Sequence, residues 1–337
     1  MPQRWNKFLT AFTGRGLSAS VSRLAFKPSL LRQMCTTHYT SELNVPVRLI
    51  DGKLTLVPDG PRGVIGEPSV DSTERVVYLT ACHLSQPGRI IADDLRNRMR
   101  LGSDDIPTVA EAYLEKLGQK RANIEVTLEY HLLGAIRGLV LDAKGSVLYD
   151  LYEQFGQEKA EDITFSFPSS DTGKNTVLAK FQEVKKSISN SVGGNAIPAV
   201  GAVVGDTFWN ELITNPMVQT AYSAWSAVHE ATFGNNDFLG KPFPYGGILW
   251  QNYGHVVGGK TFVETEEALL FPVVDDDSGL QQWFAPSDYI ADVGDMGASF
   301  YVHQWPHQSG KSLEFEVQSN PITFFGRPEA LRTMKLG

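Results

Sequence analysis

Residues 107–141 read PTVAEAYLEKLGQKRANIEVTLEYHLLGAIRGLVL, and this stretch predicts one long helix. Asp104 or Asp105 can cap it, and Pro107 suits the first turn, where its missing N–H costs nothing. At 1.5 Å per residue the helix is a rod of roughly 50 Å, which is longer than a small domain needs. Apolar residues recur along one face at helical steps, and five of them are its predicted core: Val109, Tyr113, Leu117, Ile124 and Leu128.

The sequence predicts a β-hairpin before this helix. Residues 47–49 alternate apolar and polar side chains, and Leu54 and Leu56 continue the alternation after Asp51-Gly52. Asp-Gly between two such runs favours a two-residue turn, because both residues tolerate positive φ. Residues 75–79 are predicted to return as a further strand. Two strands alone are only marginally stable in water, so the hairpin either folds back on its own chain or lies on another subunit.

The rest of the chain mixes helical and strand patterns, which predicts an α+β protein. The sequence contains no internal repeat at the period typical of solenoid proteins. Helices are predicted near residues 176–190, 206–213 and 215–228, and strands near 199–204, 248–253, 256–263, 269–274, 299–304 and 313–325.

The composition is that of an ordinary globular protein, with 42% hydrophobic and 20% charged residues in a chain of 337. No apolar run approaches the roughly 18 residues of a membrane-spanning helix, so no membrane association is expected. Cys35 and Cys82 are the two cysteines, and they lack the spacing of metal ligands. Two isolated thiols fit a reducing compartment rather than a disulfide scaffold.

The charge is unevenly distributed along the chain. Residues 1–41 contain six basic residues and no acidic one, so the remainder carries −14 to give the formal total of −8. A transit peptide and an arm that binds nucleic acid both have this composition. An extended segment that packs over a neighbouring surface fits it as well. The residues alone leave these three interpretations open, while the acidic body disfavours tight, general binding of nucleic acid.

One stretch matches a catalytic motif literally. Residues 254–261, GHVVGGKT, fit the phosphate-binding pattern G-x-x-x-x-G-K-[ST]. Such a loop must leave a strand and open a helix, whose N-terminal N–H groups face the phosphates. Phe262-Val263 favours strand instead, and Phe271-Pro272 follows too soon for a crossover helix and a second strand. We therefore expect a Gly-rich β-turn here and no catalytic residues.

No metal or cofactor site is predicted. Pro306 breaks any helix that would align His303 with His307 on one metal. Residues 275–277, all Asp, lack the alternating oxygen ligands of a calcium loop, so a solvated turn is expected. His131 lies beside the apolar stripe of the long helix and is expected to be packed. By themselves, the residues indicate an assembly or binding protein with projecting arms rather than an enzyme.

Six stretches, in a fixed order, carry a resemblance to a known family. They include DLRNRMRLG at residues 94–102, FWNEL at 208–212 and APSD at 285–288, and they span residues 45–63, 94–102, 127–155, 208–218, 285–301 and 317–329. This order resembles the lambda-type major capsid protein E family, whose members have the Hong Kong 97 phage head fold. The resemblance covers nearly the whole chain after residue 41.

The resemblance implies an α+β fold of the Hong Kong 97 type, divided into five parts. These are a basic N-terminal arm over residues 1–41, an extended-loop hairpin over 42–85, a peripheral domain over 86–160 with a spine helix at 107–141, an axial domain over 161–284, and closing strands of the peripheral domain over 285–337.

The function implied by the resemblance is that of a major capsid protein. It would self-assemble as hexamers and pentamers into the icosahedral head shell around a phage genome, in the host cytoplasm, and remain in the virion. A separate scaffolding protein, a portal, a decoration protein and weakly held double-stranded DNA are the further partners implied. A cellular compartment shell of the same fold and an NTP-binding enzyme are the alternatives. The expected assembly residues are Arg4, Lys7, Arg15, Leu49, Leu54, Leu56 and Arg62.

Overall fold

The fold is described from a computed structural model. It describes residues 30–51, 73–91, 109–168, 175–192, 199–233, 242–254, 256–257, 260–274 and 278–337. The helices of these ranges are α1 (Leu30–Gln33), α2 (Val109–Arg137), α3 (Leu151–Phe155), α4 (Thr176–Ser191), α5 (Asp206–Thr214) and α6 (Pro216–Phe233), with short 3₁₀ helices at Ile290–Asp292 and Pro328–Ala330.

The strands lie between and after these helices. They are β1 (Thr36–Tyr39), β2 (Asn44–Asp51), β3 (Thr73–Thr80), β4 (Leu84–Ile91), β5 (Leu139–Leu141), β6 (Val147–Asp150), β7 (Ile163–Phe165), β8 (Ala199–Val204), β9 (Phe243–Tyr245), β10 (Ile248–Asn252), β11 (Val256–Val257), β12 (Lys260–Thr261), β13 (Glu267–Val273), β14 (Leu280–Phe284), β15 (Tyr301–Pro306), β16 (Ser312–Ser319), β17 (Pro321–Phe325) and β18 (Arg332–Leu336).

The long helix α2 is shorter than the prediction of a helix over 107–141. Its last residue is Arg137, and Gly138 follows with φ of +81°, in the left-handed region that favours glycine. Leu139–Leu141 then forms strand β5, which pairs antiparallel with β6. The predicted extension of the helix to residue 141 was wrong. Leu139 continues the helical spacing of apolar residues, but it lies in strand β5. The residues predicted to cap α2 lie outside the described ranges.

A sheet of six strands forms the centre of one half of the molecule. Its order is β7-β18-β13-β8-β10-β9, and the central strand β8 is buried along nearly its whole length. Helices α4 and α5 cover this sheet. Phe181 from α4 and Phe208 from α5 pack on Trp250 of β10, with ring centroids 4.5 and 5.9 Å apart respectively. Large aromatic rings therefore join the helices to the sheet in one apolar core.

The topology corrects two of the predicted domain boundaries. Strand β18 lies in the six-stranded sheet, so residues 332–336 do not belong with closing strands of a peripheral domain. Strand β14, predicted to end the axial domain, pairs instead with β17 and with β1 in a separate three-stranded sheet. Both corrections concern long-range strand partners, which a local apolar pattern does not specify.

The hairpin also differs from the prediction. Strand β2 pairs antiparallel with β3, and Val47 lies opposite Val77. The prediction of a two-residue turn at Asp51-Gly52, with residues 53–57 as the partner strand, was therefore wrong for β2. Residues 52–72 lie outside the described ranges. Alternation of apolar and polar residues is a property of each strand separately. It therefore could not show whether β2 pairs with residues 53–57 or with β3.

The predicted N-terminal arm is too long at its C-terminal end. Helix α1 contacts α2, and Leu31 is completely buried in the same core as the hairpin base. Strand β1 pairs in parallel with β14, with Thr36 opposite Gln281 and Tyr39 opposite Phe284. Residues 30–39 are therefore an integral part of the folded body, and residues 1–29 precede it.

Candidate assembly surfaces

The hairpin base, formed by β2 and β3, has apolar side chains on both faces. On the inner face Val45, Val47, Val77 and Leu79 are buried in a core cluster that also contains residues from the C-terminal half of α2. The apolar residues of the outer hairpin face are Pro46, Val76 and Tyr78; Val76 is 46% and Tyr78 66% exposed. Tyr78 lies directly opposite Pro46 in the strand register. The inner face thus attaches the hairpin to its own chain, while the outer face is available to a neighbour.

None of the seven predicted assembly residues has a described side chain. Leu49 lies within β2, but its side chain is not described. The other six lie outside the described ranges: Arg4, Lys7, Arg15, Leu54, Leu56 and Arg62. Their assembly role stays a prediction. Sequence reasoning missed Val76 and Tyr78, although the run VVYL at residues 76–79 has apolar side chains of both parities, which is unusual for a strand with one solvated face.

The predicted core of α2 lies against the three-stranded sheet β15-β16-β4. Tyr113, Leu117, Ile124 and Leu128 are buried in one cluster with residues of this sheet. The Tyr113 ring meets the Phe315 ring edge to face at 5.1 Å. Val109 is the first residue of α2, and its side chain is not described. Helix and sheet therefore form a third core, distinct from that of the six-stranded sheet and from the one that contains the hairpin base.

In the loop between β14 and β15 a carboxylate is buried and apolar side chains are exposed, which is the reverse of what is expected for a surface loop. Asp292 is buried, and its carboxylate accepts hydrogen bonds from Ser287 Oγ and from His303 Nε2. The His303 ring also stacks on Tyr289 at 3.6 Å. In contrast, three apolar side chains of this loop point to solvent; we call them the apolar shoulder, and they are Ile290, 92% exposed, Val293, 76%, and Met296, 64%.

The loop that carries the shoulder is held close to the N-terminal segment. The Gly297 amide donates to Thr40 O at 2.8 Å, and a Cβ at Gly297 would lie 2.0 Å from Phe284 O. Only glycine therefore permits this approach. Beside it, Arg32, Tyr39 and Arg121 line a groove of about 580 Å³ together with residues 296–300. The shoulder is thus a fixed feature rather than a loose loop.

The stretch that resembles a phosphate-binding loop contains two short paired strands. β11 and β12 are antiparallel, with Val257 opposite Lys260. Residues 262–266 are not helical, and β13 begins at Glu267. No helix N-terminus follows Lys260 to receive a phosphate. The strand pairing agrees with the predicted Gly-rich β-turn, whose residues 258–259 lie outside the described ranges.

Among the described residues, neither the histidines nor the cysteines form a reactive cluster. His303 contacts Asp292, whereas His307 Nδ1 contacts Ser309 Oγ at 2.8 Å. Cys35 and Cys82 are free, and burial raises the pKa of both thiols, which disfavours the reactive thiolate. Within the described ranges, no three His, Cys, Asp or Glu side chains could together hold a metal ion. None of the described helices has the length and apolar character of a membrane span.

His131 is a buried, titratable side chain in the C-terminal half of α2. Its Nε2 atom has no hydrogen-bond partner among the described atoms. Burial lowers the pKa of His131 to about 4, and the negative charge of Asp142 partly opposes this shift. The neutral imidazole is therefore the form that fits the folded subunit.

We expect acid to destabilise the subunit through His131. Between pH 6.5 and about 4 the unfolded chain binds a proton at this residue that the folded chain does not bind. The free energy of unfolding should therefore fall by up to roughly 3 kcal/mol as the pH drops through this window. His131→Gln removes the titrating group, so denaturant unfolding at several pH values should give a shallower loss than wild type. Equal losses in both proteins would assign the acid sensitivity to other groups.

The fold thus combines a long helix on a small sheet, a separate six-stranded sheet and a hairpin whose base is buried on one face. The family model described as phage major capsid protein E matches residues 14–336. The chain belongs to the phage major capsid protein E family. The match begins at residue 14, so the likeness extends into the N-terminal segment, where the sequence analysis placed none.

Relatives of this capsid protein support the assignment. The major capsid protein of Pseudomonas phage KPP10 is 22% identical over 307 residues, which cover 86% of each chain. A protein from an E. coli CFT073 prophage, provisionally assigned as its capsid protein, superposes with a TM-score of 0.61 at 12% identity, over 97% of this chain and 99% of that one. The bacteriophage PhiM1 mature capsid gives 0.52 at 11% identity, over 93% and 88%.

These likenesses confirm the Hong Kong 97-type α+β fold. Family membership makes the chain a shell-forming capsid subunit, located in the virion capsid. Self-association into a shell follows from that function. The prediction of a capsid protein is thus confirmed, and a compartment shell outside phages has no comparable support.

Proposed function

We propose that this capsid protein assembles as hexamers and pentamers into an icosahedral head shell. The family match over residues 14–336 carries the proposal. The six-stranded sheet with α4 and α5 has a different apolar core from that of α2 and its three-stranded sheet, so the two parts can take different positions in the shell. The six-stranded sheet with α4 and α5 would line the symmetry axes. Helix α2 with its three-stranded sheet would form the shell wall. Many modest contacts repeated around the shell make such an assembly avid.

The outer hairpin face supports a contact between subunits. Tyr78 and Val76 are exposed large side chains on a ribbon whose other face is already buried. Covering them with a neighbour would remove apolar area from water at about 25 cal/mol per Å². A single hairpin would then belong to two subunits at once, with its inner face on one and its outer face on the other.

The proposed partners are those of a phage head that is packed with DNA. We propose that a separate scaffolding protein takes part in assembly. A portal, a decoration protein and packaged double-stranded DNA complete the set. The −14 charge of residues 42–337 supports loose contact with DNA, since like charges repel the phosphates.

We also propose that the subunit is not an enzyme. The strand pair β11–β12 occupies the position where a nucleotide-binding loop would require a helix. The burial of both thiols points the same way. Purified particles that hydrolyse ATP in proportion to capsid protein would contradict this proposal.

Tyr78→Asp tests the shell and the hairpin contact together. We expect closed particles of wild type in negative-stain micrographs and only small oligomers of the variant, because a charge would be buried at the contact. The variant monomer should melt within a few degrees of wild type, since Tyr78 contributes little to its own core. Thr80→Asp, on the same face of β3 at the hairpin's root, is the matched control. Closed wild-type-like shells of Tyr78→Asp would remove the hairpin contact from the proposal.

A further inference from the structure

The apolar shoulder exposes three large side chains on a loop that is held in this arrangement. Ile290, Val293 and Met296 are each more than 60% exposed. Asp292 lies between them in the sequence, and its carboxylate is buried and hydrogen-bonded. Turning the loop over to bury the apolar side chains would break the hydrogen bonds of Asp292. A segment that lies over the shoulder would remove the same side chains from water without that loss.

The first described residues of the chain lie beside the shoulder. Helix α1 begins at Leu30, and its Arg32 lines the same groove as Met296 and Gly297. Strand β1 then leads to Thr40, whose carbonyl accepts a hydrogen bond from the Gly297 amide at 2.8 Å. The four residues of β1 span about 13 Å of extended chain. The chain that precedes Leu30 therefore joins the fold within roughly 20 Å of the shoulder.

The charges around the shoulder are acidic. Asp288 is exposed and Asp295 is partly exposed. Residues 261–310 contain no lysine or arginine. Arg121, which borders the groove from α2, pairs with Glu125 at 2.6 Å, so its charge is largely neutralised. An apolar segment with positive charges fits this surface.

The residues that precede α1 have this chemistry. Residues 1–29 contain five basic residues and no acidic one. Their last part reads VSRLAFKPS at residues 21–29, with two basic residues and three large apolar ones, Val21, Leu24 and Phe26. Six extended residues span about 20 Å, so Leu24 can reach the shoulder from the attachment of the segment at Leu30.

We propose that the apolar shoulder binds residues 21–26 of its own chain. The short connection to α1 favours the same chain, because a tether of a few residues gives the segment an effective concentration on the order of millimolar at the shoulder. A segment from a second copy would have to exceed that concentration to compete in solution. The contact needs no neighbour, so it is a property of the free subunit and does not depend on the proposed shell.

Cysteine pairs within one chain test the contact in free subunits. The variant that carries Leu24→Cys and Val293→Cys is oxidised at micromolar concentration, far below the effective concentration of a short tether. We expect an intrachain disulfide between these two positions, which peptide mapping by mass spectrometry separates from any product of Cys35 or Cys82. Val21→Cys and Phe26→Cys replace Leu24→Cys in parallel to allow for register.

The matched control places the second cysteine elsewhere on the surface. Val228 lies on α6 and is 63% exposed, so Val228→Cys is as accessible as Val293→Cys. The pair with Val228→Cys should form the intrachain disulfide about tenfold less, because no short tether brings residues 21–26 to that site. Equal amounts of isotope-labelled and unlabelled subunits are mixed before oxidation, so that a link between two chains is recognised by its mixed labels.

Each other outcome overturns the proposal. Linked peptides with mixed labels would mean that the shoulder binds a different copy of the chain. Linkage at or below the level of the Val228→Cys control, from all three segment positions, would place residues 21–26 elsewhere. Because the measurement uses free subunits, a failure of the protein to form shells would contradict the proposed function and leave this test unaffected.

Trypsin provides a second measurement that needs no cysteine. Arg23 lies within the proposed contact, whereas Arg15 precedes it and serves as the internal reference. Replacing Ile290 and Val293 by serine removes apolar side chains that are exposed, so the fold should be unchanged. We expect free subunits of this double variant to be cleaved after Arg23 about tenfold faster than wild type, because a bound segment must first be released locally. Equal rates after Arg23, relative to Arg15, would overturn the proposal even if the cysteine variants failed to fold.

Discussion

Leu117→Asp is expected to abolish folding of the subunit. Leu117 is completely buried where α2 packs on the sheet β15-β16-β4, in a cluster with Phe315 and Tyr113. A carboxylate at this position would lie among apolar side chains. Burying it unpaired costs several kcal/mol, which is comparable with the roughly 5–15 kcal/mol that stabilise a whole domain. The variant should appear in the insoluble fraction, and any soluble material should lack a cooperative thermal transition.

The matched control is Leu114→Asp, one turn earlier on the same helix. Leu114 is 37% exposed, so its carboxylate can remain in water. We expect this variant to be soluble and to lose at most about 1 kcal/mol, as is usual for surface substitutions. A soluble Leu117→Asp subunit that melts like Leu114→Asp would show that this cluster does not support the fold.

Two truncations should separate the folded body from the segment that precedes it. Deletion of residues 2–41 removes Leu31 and strand β1, both of which belong to the body's own core. Loss of one buried leucine alone typically costs about 2–5 kcal/mol, and the hydrogen bonds of β1 to β14 are lost as well. We therefore expect unfolded or aggregated subunits. Deletion of residues 2–29 leaves this core intact and should leave the melting temperature nearly unchanged.

The shorter deletion should instead affect particles. If residues 1–29 pack on neighbours, particles that lack them should be defective or should break at lower temperature, which light scattering during heating can measure. Intact particles of normal thermal stability would show that the segment has no role in the shell. Mass spectrometry of wild-type particles adds one check: mature chains that already lack residues 1–29 would identify a processed leader, in agreement with the transit-peptide interpretation.

The candidate surfaces were only partly accessible to sequence reasoning. The basic N-terminal segment and the hairpin are visible as a charge excess and as alternation, because both are local properties of the chain. The apolar shoulder was not found, since residues 290–296 follow neither the strand nor the helical period. Its exposure arises because Asp292 is drawn inward by Ser287 and His303. His303 lies on β15, across the loop, and only the fold brings it to Asp292.

The elements whose apolar period is strong, and the family that their order indicates, could be predicted from the amino-acid sequence. The stripe of Tyr113, Leu117, Ile124 and Leu128 predicts α2 because residues three or four apart share a helix face. The apolar run at residues 199–204 predicts β8, which has those bounds. Both features depend on side chains that are close together along the chain.

The tertiary structure decided which elements meet. It paired β2 with β3, placed β18 in the six-stranded sheet, and ended α2 at Arg137 so that residues 139–141 could pair with β6. Each of these outcomes depends on a partner distant in sequence or on a single left-handed glycine. An alternating run has the same appearance whichever strand it pairs with, because its period fixes the two faces and leaves the partner to be selected by packing of the whole chain.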